Sequence, residues 1–346
     1  MVFSTKTIED SNLRKIPALE TGYISEYSSY LEESLNMIVQ ESEEFNKLML
    51  QEGLLGDLVV KAAKGALQLI NPEEILGKIF DWFVSCLERL GGSFRAFLLN
   101  FVNDSAELAM FKKKLANFRG QVRYTKEYFV YKNMDLDTSR TTYQIEVESQ
   151  YNELVNSLQE LSTCRDNTSV EEFINQLSEK DQYDISDMDD LRGRVTGTYG
   201  RVTKDEFADK VFNYYRTSET PYQYKAKMFE KNIDGVRVHQ AYTAYFTAKD
   251  QERIINRDIM KLKMACAKEK AKVRTLNPTN FLPEGLKMNP RAIFAYNSIV
   301  KTKILRIKDI CEIYTILFSG KLDALKEYNK VNRDILLLAC KEIAKG

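Results

Sequence analysis

Few side chains in this sequence are of the types that carry out proton transfer or bind metals. It contains one histidine, His239, which lies beside Val238 and Tyr242 in a predicted helix. Histidine is the usual proton shuttle and metal ligand, but a working site needs further groups around it. We therefore interpret His239 as a packing or surface residue and predict no catalytic and no metal-ligating residue.

Two short motifs superficially resemble ligand-binding loops. The glycines of GRVTGTYGRV (residues 193–202) are spaced GxxxGxxG, which fits neither a dinucleotide fingerprint nor a phosphate-binding loop. The acidic run DISDMDD (184–190) lacks the central glycine and the closing glutamate of a calcium loop. No GxSxG, HExxH or kinase signature occurs. We predict a protein that is not an enzyme and that binds no cofactor.

The five cysteines have no ligand-like spacing and no CxxC pair. An odd, unpatterned set predicts reduced thiols in a cytosolic setting rather than a disulfide framework. They are Cys86, Cys164, Cys266, Cys311 and Cys340.

The stretch from Asn71 to Val102 is the element around which we expect the fold to be organised. Asn71 can cap a helix and Pro72 suits its first position. We expect Gly91-Gly92 to weaken this helix midway and to bend it. Its apolar side must bury against the protein's own core, a second copy or a lipid surface, and the cap and the mixed charges favour a core or an interface. The predicted interaction stripe consists of Phe80, Phe83, Leu87, Leu90, Phe94, Phe97 and Phe101.

Long periodic segments with few prolines predict a mainly α fold, an elongated multi-helix bundle with long helices and a few short strands. Alternating runs in 120–137 predict two short strands or an extended crossing segment, and YQYKAKMF (222–229) predicts another strand. The last helix is expected to bend or turn at Ser319-Gly320. Further helices are predicted at about 22–53, 54–70, 104–118, 138–161, 168–177, 203–216, 233–273 and 291–344.

We divide the chain into three predicted parts. Residues 1–120 form an acidic arm plus an amphipathic helical region. Residues 121–276 form an extended segment and a helical bundle with a long basic helix. Residues 277–346 form a linker and a C-terminal long helix or hairpin.

The 50 basic and 50 acidic residues lie in blocks along the chain. Residues 1–60 hold 4 basic and 11 acidic side chains, 131–191 hold 4 and 15, and 192–346 hold 31 and 17. These blocks are either solvated helix faces or surfaces that meet, within one chain or between copies. Lys249–Arg274 carries nine basic and four acidic residues, a pattern that suits a solvated face or contact with nucleic acid.

The order of segments is similar to that of helical virion structural or internal proteins of large contractile-tailed bacteriophages. The residues behind this resemblance are TGYISEYSSYLEESLNMI, the Phe-rich helix, RYTKEYFVYKNMDLDT, VTKDEFADKVFNYYR, the Lys-rich helix and FSGKLDALKEYNKVNRDILLLACKEI. The resemblance implies a virion protein made in the host cytoplasm. It also implies possible processing after Glu20 or Glu26, because a prohead protease that cuts after residue-x-Glu trims such head proteins.

Three functional hypotheses remain open. The first is a structural component of a phage particle that assembles with copies of itself or with other virion proteins through helix contacts. The second is a membrane-active or ejected helical protein that uses residues 54–102. The third is a nucleic-acid-packing protein that uses the basic C-terminal half through Lys249–Arg274. No signal peptide or transmembrane helix is predicted.

Overall fold

The structure is a computed structural model, and helices make up most of it. It describes residues 69–103, 106–124, 129–131, 136–180, 206, 216–218, 231–274, 276, 280–282, 285–287 and 289–345. Its elements in chain order are α1 (Pro72–Asn103), α2 (Ala106–Ala116), β1 (Val122–Tyr124), β2 (Phe129–Tyr131), α3 (Leu136–Ser162), α4 (Asn167–Lys180), β3 (Arg216–Ser218), β4 (Lys231–Ile233), α5 (Gly235–Phe246), α6 (Ala248–Val273) and α7 (Pro290–Lys345). The predicted mainly α fold is confirmed.

Helix α1 begins where its sequence predicts. The backbone N–H of Glu73 donates a hydrogen bond of 3.1 Å to Oδ1 of Asn71, and Pro72 is the first helical residue. The helix continues through Gly91 and Gly92. A Cβ at Gly91 would overlap the Cδ1 methyl of Ile259 in α6, so the missing side chain allows close approach of these two helices.

The 56-residue helix α7 is the central helix on which most of the other described elements pack. At 1.5 Å per residue it is about 84 Å long. Every residue from Ile310 to Lys326 is buried, and α1 to α5 and both β1 and β2 contact this helix. The helix runs without interruption through Ser319 and Gly320, so the chain forms no hairpin there. Neighbouring helices cover this stretch on all sides, so its backbone hydrogen bonds are shielded from water and the glycine does not break the helix.

The single long helix predicted at 233–273 is instead two helices, α5 and α6, which meet at Thr247. This residue has φ −100° and ψ 4°, and its N–H bonds to the carbonyls of Thr243 and Tyr245. Its hydroxyl also donates to the Thr243 carbonyl over 2.8 Å. A β-branched residue whose hydroxyl bonds to a nearby carbonyl favours the end of a helix over its interior.

Helix α4 begins at Asn167, slightly before the predicted start. Asp166 and Ser169 form a reciprocal cap: Oδ1 of Asp166 accepts from the Ser169 N–H at 2.8 Å, and Oγ of Ser169 accepts from the Asp166 N–H at 3.1 Å. These two bonds satisfy donors that the first turn of a helix leaves without partners.

The two strands predicted in 120–137 are present but do not pair with each other. Strand β1 pairs antiparallel with β4, with Val122 opposite Ile233, and β2 pairs antiparallel with β3, with Tyr131 opposite Arg216. Val122 and Ile233 are both buried. Each pair therefore ties the middle of the chain to a segment that lies much later in the sequence.

One hydrophobic cluster in the described residues includes side chains from all three predicted parts. Phe83, Leu262 and Phe318 are examples, each at most 1% exposed. The boundaries of the three parts stay predictions. The predicted helices at 22–53 and 54–70 and the predicted strand at 222–229 lie wholly or almost wholly outside the described residues. So does the helix at 203–216, whose predicted last residue, Arg216, lies in β3.

Candidate interaction surface

The predicted interaction stripe of α1 lies inside the protein's own core. Phe83 and Phe94 are fully buried, and Phe97 is partly buried against the same cluster. Phe83 stacks on Tyr143 of α3 at 5.2 Å between ring centroids, and Phe101 contacts Tyr245 of α5 at 5.2 Å. The remaining stripe residues, Phe80, Leu87 and Leu90, are also buried. Contact of this stripe with another molecule would require α1 to leave the bundle.

Helices α1 and α6 pack antiparallel and are joined by a row of ion pairs. Asp81 contacts Lys270 at 2.7 Å, Glu88 contacts Lys263, and Arg95 contacts Glu252 at 2.9 Å. The pairs follow one side of α6 from its last turns back to its first turns. Each is exposed enough to water that its net contribution is small, about 0–1 kcal/mol. Their regular order indicates that they fix the register of the two helices.

Acidic and basic blocks of the sequence meet inside this chain. Glu148 of α3 contacts Lys272 of α6 at 2.6 Å, and Glu153 of α3 contacts Lys303 of α7 at 2.7 Å. Glu171 of α4 also contacts Arg291 of α7. The acidic residues come from 131–191 and the basic ones from 192–346, so part of the charge segregation has an intramolecular explanation.

The exposed side of α6 is cationic and has an apolar centre. At 100° per residue, the twelve exposed residues of Lys249–Arg274 fall within an arc of about 160°. We call this arc the outward face of α6. It contains the single acid Asp250, while Met260 and Met264 are 55% and 70% exposed at its centre. Its five cations are Lys249, Arg253, Arg257, Lys268 and Arg274.

Most of these cations make no ion pair with the described residues. Within the part of the chain that the structure describes, Lys249, Arg253, Lys268 and Arg274 have no carboxylate within 4.0 Å, and Arg257 contacts the buried Asp258 at 3.8 Å. This differs from the side of α6 that faces α1, where Lys263 and Lys270 are paired. A cationic rim around two exposed methionines is chemically suited to an acidic, amphipathic partner.

Two of the five cysteines lie beside Tyr143 in the core, and Cys86 is buried close enough to Cys311 to affect its pKa. The Tyr143 hydroxyl lies 3.4 Å from Sγ of Cys266 and 3.8 Å from Sγ of Cys311. The Tyr143 ring packs edge-on against the ring of Tyr314. Burial, with the charge of Glu312, raises the pKa of the Cys86 thiol to about 12. Burial raises the pKa of Cys266 to about 11 and that of Cys311 well above its ordinary value.

Thiols with raised pKa values carry little thiolate, so they pack as small apolar groups and are poor nucleophiles. All five cysteines are free of disulfides in the structure, and the predicted reduced state of the thiols stays a prediction. No group of three or more histidine, cysteine or acidic side chains in the described residues has a geometry that could hold a metal ion.

Charged residues of α7 lie in the interior in complementary pairs. Lys308 contacts Glu312 at 2.7 Å one turn along the helix, and Asp323 contacts Lys326 at 3.1 Å. Lys321 contacts Asp258 of α6 at 3.6 Å, with both side chains at most 5% exposed. Such pairs are weak sources of net stability but costly to break, because removal of one member leaves a buried charge.

The other predicted sites are either on the surface or outside the described residues. His239 is exposed on α5 and stacks on Tyr242 at 6.1 Å, which agrees with a surface role. Glu20, Glu26, the acidic run 184–190 and the glycine motif at 193–202 lie outside the described residues. No described helix has the length and apolar content required to cross a lipid bilayer.

Sequence reasoning identified the basic character of α6 but not which side of it faces outward. The signal was present: Met260 and Met264 are one turn apart and fall between the cations when the helix is projected at 100° per residue. Because both residues are apolar, this signal alone does not show whether they are exposed or buried. Comparison with protein families, with curated proteins and with solved structures finds no match for this chain.

Proposed function

We propose that this chain is a non-enzymatic structural component of a phage particle and that it assembles with copies of itself or with other virion proteins. The particle is suggested by the resemblance of its segment order to helical virion proteins. The outward face of α6 is the contact surface in this proposal. The observation that carries the assembly role is that Met260 and Met264 are exposed inside a rim of cations, while the phenylalanines of α1 are buried.

The packing of the chain supports a scaffold role. A helix of 56 residues with a buried centre holds α1, α3 and α5 in fixed positions around it. An assembly surface on α6 is then carried by a helix whose other sides are fixed by α1 and α3. Rigid presentation of this kind lowers the entropy cost of association.

The first test is the composition of purified particles of the phage that encodes the chain. Quantitative mass spectrometry is expected to find the protein at a constant copy number, and the same spectra report whether its amino terminus is Met1 or follows Glu20 or Glu26. Absence of the protein from mature particles and from their assembly intermediates would overturn the proposal.

A second test uses two methionines of matched exposure. Met264 is 70% exposed on α6 and Met110 is 73% exposed on α2. A carboxylate at the centre of an interface costs at least about 1.4 kcal/mol, so Met264→Asp is expected to reduce incorporation about tenfold or more. Met110→Asp should assemble normally. Equal incorporation of both variants would exclude the outward face as the contact surface.

Nucleic-acid packing is the second candidate, favoured by the five exposed cations and one acid of the same face. Neutralisation of four to five phosphates predicts that the logarithm of affinity falls with the logarithm of salt concentration with a slope of about −4. A filter-binding titration of double-stranded DNA measures this slope. A slope near zero, or no binding at low salt, would eliminate this candidate.

The membrane-active hypothesis has less support from the packing. Its proposed region, 54–102, includes the α1 stripe, which is buried against α3, α5 and the core cluster. Lipid contact would require α1 to exchange these neighbours for acyl chains. Co-sedimentation with anionic vesicles tests this hypothesis, which predicts that the protein pellets with the lipid.

A further inference from the structure

We propose that the outward face of α6 is the docking surface for the acidic segment 22–53 of the same chain. This inference goes beyond the proposed function, because it concerns the isolated protein and names the occupant of the face there. It rests on the α6 surface, the charge of the segment and the position of α1.

Charge complementarity is the first argument. The outward face carries five cations and one acid, and four of the cations have no ion pair with described residues. Segment 22–53 carries seven glutamates and one lysine. Opposite charges on two tethered surfaces favour their association and exclude partners of the wrong sign.

The apolar pattern is the second argument. Tyr23, Tyr27 and Tyr30 follow each other at intervals of four and three residues, and Leu31, Leu35 and Ile38 continue the same spacing. This spacing gives an amphipathic helix one apolar side. Met260 and Met264 provide a flexible apolar strip of one helical turn, and methionine adapts well to aromatic and aliphatic partners.

Reach is the third argument. Asp81 near the start of α1 contacts Lys270, and Gly77 lies against the same lysine, so the chain enters α1 beside the carboxyl end of α6. The 15 residues from 54 to 68 span up to about 50 Å when extended. Helix α6 has 26 residues and is therefore about 39 Å long. Segment 22–53 can thus reach every part of the outward face without strain in the connection.

An acidic segment also fits this face better than nucleic acid does. Phosphate contacts use cations alone, and stacking of bases needs aromatic side chains. The centre of the outward face is instead formed by methionines. The tether supplies a local concentration on the order of 1 mM, which a second copy reaches only at high protein concentration.

The decisive measurement is methionine oxidation by dilute hydrogen peroxide in the full chain, followed by peptide mass spectrometry. Met110 and Met264 have matched exposure on the described surface, 73% and 70%. A tethered segment at roughly 1 mM with a dissociation constant near 0.1 mM protects the face about tenfold. Met260 and Met264 are therefore expected to oxidise about tenfold more slowly than Met110.

Charge reversal provides the matched control. The double variant Arg253→Glu with Lys268→Glu should abolish the protection, as should 1 M salt, which shortens the screening length to about 3 Å. The double variant Lys113→Glu with Lys341→Glu makes the same change of net charge at two exposed positions elsewhere and should keep the protection. Circular dichroism establishes that both variants remain folded.

Carbodiimide coupling then identifies the occupant. Lys249 and Lys268 are expected to couple to glutamates of 22–53, and in an equal mixture of ¹⁴N and ¹⁵N protein the coupled peptides should carry one isotope only. Mixed-isotope peptides would overturn docking within one chain. Equal oxidation of Met264 and Met110 in the unmodified protein would also overturn docking. This result does not depend on whether the protein is incorporated into particles, so the two proposals can fail separately.

Discussion

At the scale of single residues, the five thiols differ in how far solvent reaches them. Cys164 is partly exposed near the end of α3, whereas Cys86, Cys266, Cys311 and Cys340 are buried. Burial also raises the pKa of the Cys164 thiol, and a hydrogen bond to Ser169 opposes this effect. With a pKa of about 12, Cys86 is about one ten-thousandth thiolate at pH 8.

Iodoacetamide at pH 8 is therefore expected to label Cys164 alone in the native protein. In denaturant all five thiols should react, which serves as the control. Peptide mass spectrometry identifies the labelled positions. Native labelling of Cys266 or Cys311 at the rate of Cys164 would contradict the burial of the cluster around Tyr143.

Lys272 and the two glutamates that it contacts make the free energy of unfolding depend on pH. It contacts Glu148 at 2.6 Å and the buried Glu269 at 3.4 Å. The hydrogen bond and charge of Lys272 lower the pKa of Glu148. Burial raises the pKa of Glu269, and Lys272 partly offsets this rise. Burial lowers the pKa of Lys272 itself, but both glutamates outweigh that effect, so its pKa lies above 10.5.

The signs of these shifts define a pH window for Lys272→Met. Stabilisation by Glu148 is present above its ordinary pKa near 4.5 and disappears as pH falls through its lowered value. Stabilisation by Lys272 is present below 10.5 and disappears as pH rises through its raised value. Urea denaturation should show a loss of about 1 kcal/mol at neutral pH that vanishes at both extremes. Lys341→Met, at an exposed position on α7, should change little. A loss that is constant across pH would instead mean that packing of the lysine stem matters.

At the scale of elements, the two adjacent glycines of α1 have different roles. A Cβ at Gly92 meets nothing within 4 Å, whereas one at Gly91 overlaps Cδ1 of Ile259. Gly92→Ala is expected to stabilise the protein by up to about 1 kcal/mol, since alanine is the better helix former. Gly91→Ala should lose that gain to the clash with α6.

A double variant tests this explanation of Gly91. Ile259→Val removes the Cδ1 methyl and alone costs about 0.5–1.5 kcal/mol. Together with Gly91→Ala it should be more stable than the sum of the single effects, because the clash no longer exists. Thermal and urea denaturation give these values. Additive effects would show that the contact between α1 and α6 does not require glycine.

The burial of the α1 stripe gives a prediction at Phe83. Phe83 is fully buried and stacks on Tyr143 at 5.2 Å, so Phe83→Asp places a carboxylate in an apolar site and should cost more than about 4 kcal/mol. Phe83→Leu keeps the site apolar and should cost far less. Ala96→Asp, on the exposed side of α1, should stay within about 0.5 kcal/mol of the unmodified protein. A folded Phe83→Asp protein with an unchanged denaturation midpoint would show that the stripe is not core.

At the scale of the whole molecule, the sequence predicts where the helices lie in the chain better than it predicts which of their side chains are buried. The cap at Asn71 and the apolar period locate α1 nearly to the residue, because these signals are local. The interior position of α7 was not predictable from its stripe. Lys308, Lys321 and Asp323 look like a solvated side, yet all three are buried. The partners of Lys308 and Asp323 lie four and three residues along α7, and the partner of Lys321 lies on α6.

The pairing of strands was also beyond the sequence. β1 and β2 are separated by four residues, and a hairpin is the commonest arrangement of such strands. Their actual partners lie about 90 to 110 residues later, and the local sequence carries no signal for such long-range pairing. For the candidate surface, the cations of α6 were predictable, but the exposure of Met260 and Met264 depends on which side α1 and α3 cover.

The position of α7 in the chain has a consequence for how the protein is made. Every described element that packs on α7 is synthesised before it, and at 5–20 residues per second its 56 residues take on the order of 3–11 s to translate. During that interval the earlier helices lack the helix on which they pack, and their phenylalanines remain accessible to chaperones. Ribosomes that stop before α7 therefore release chains that lack the centre of this core, so proteases can distinguish them from chains that contain α7.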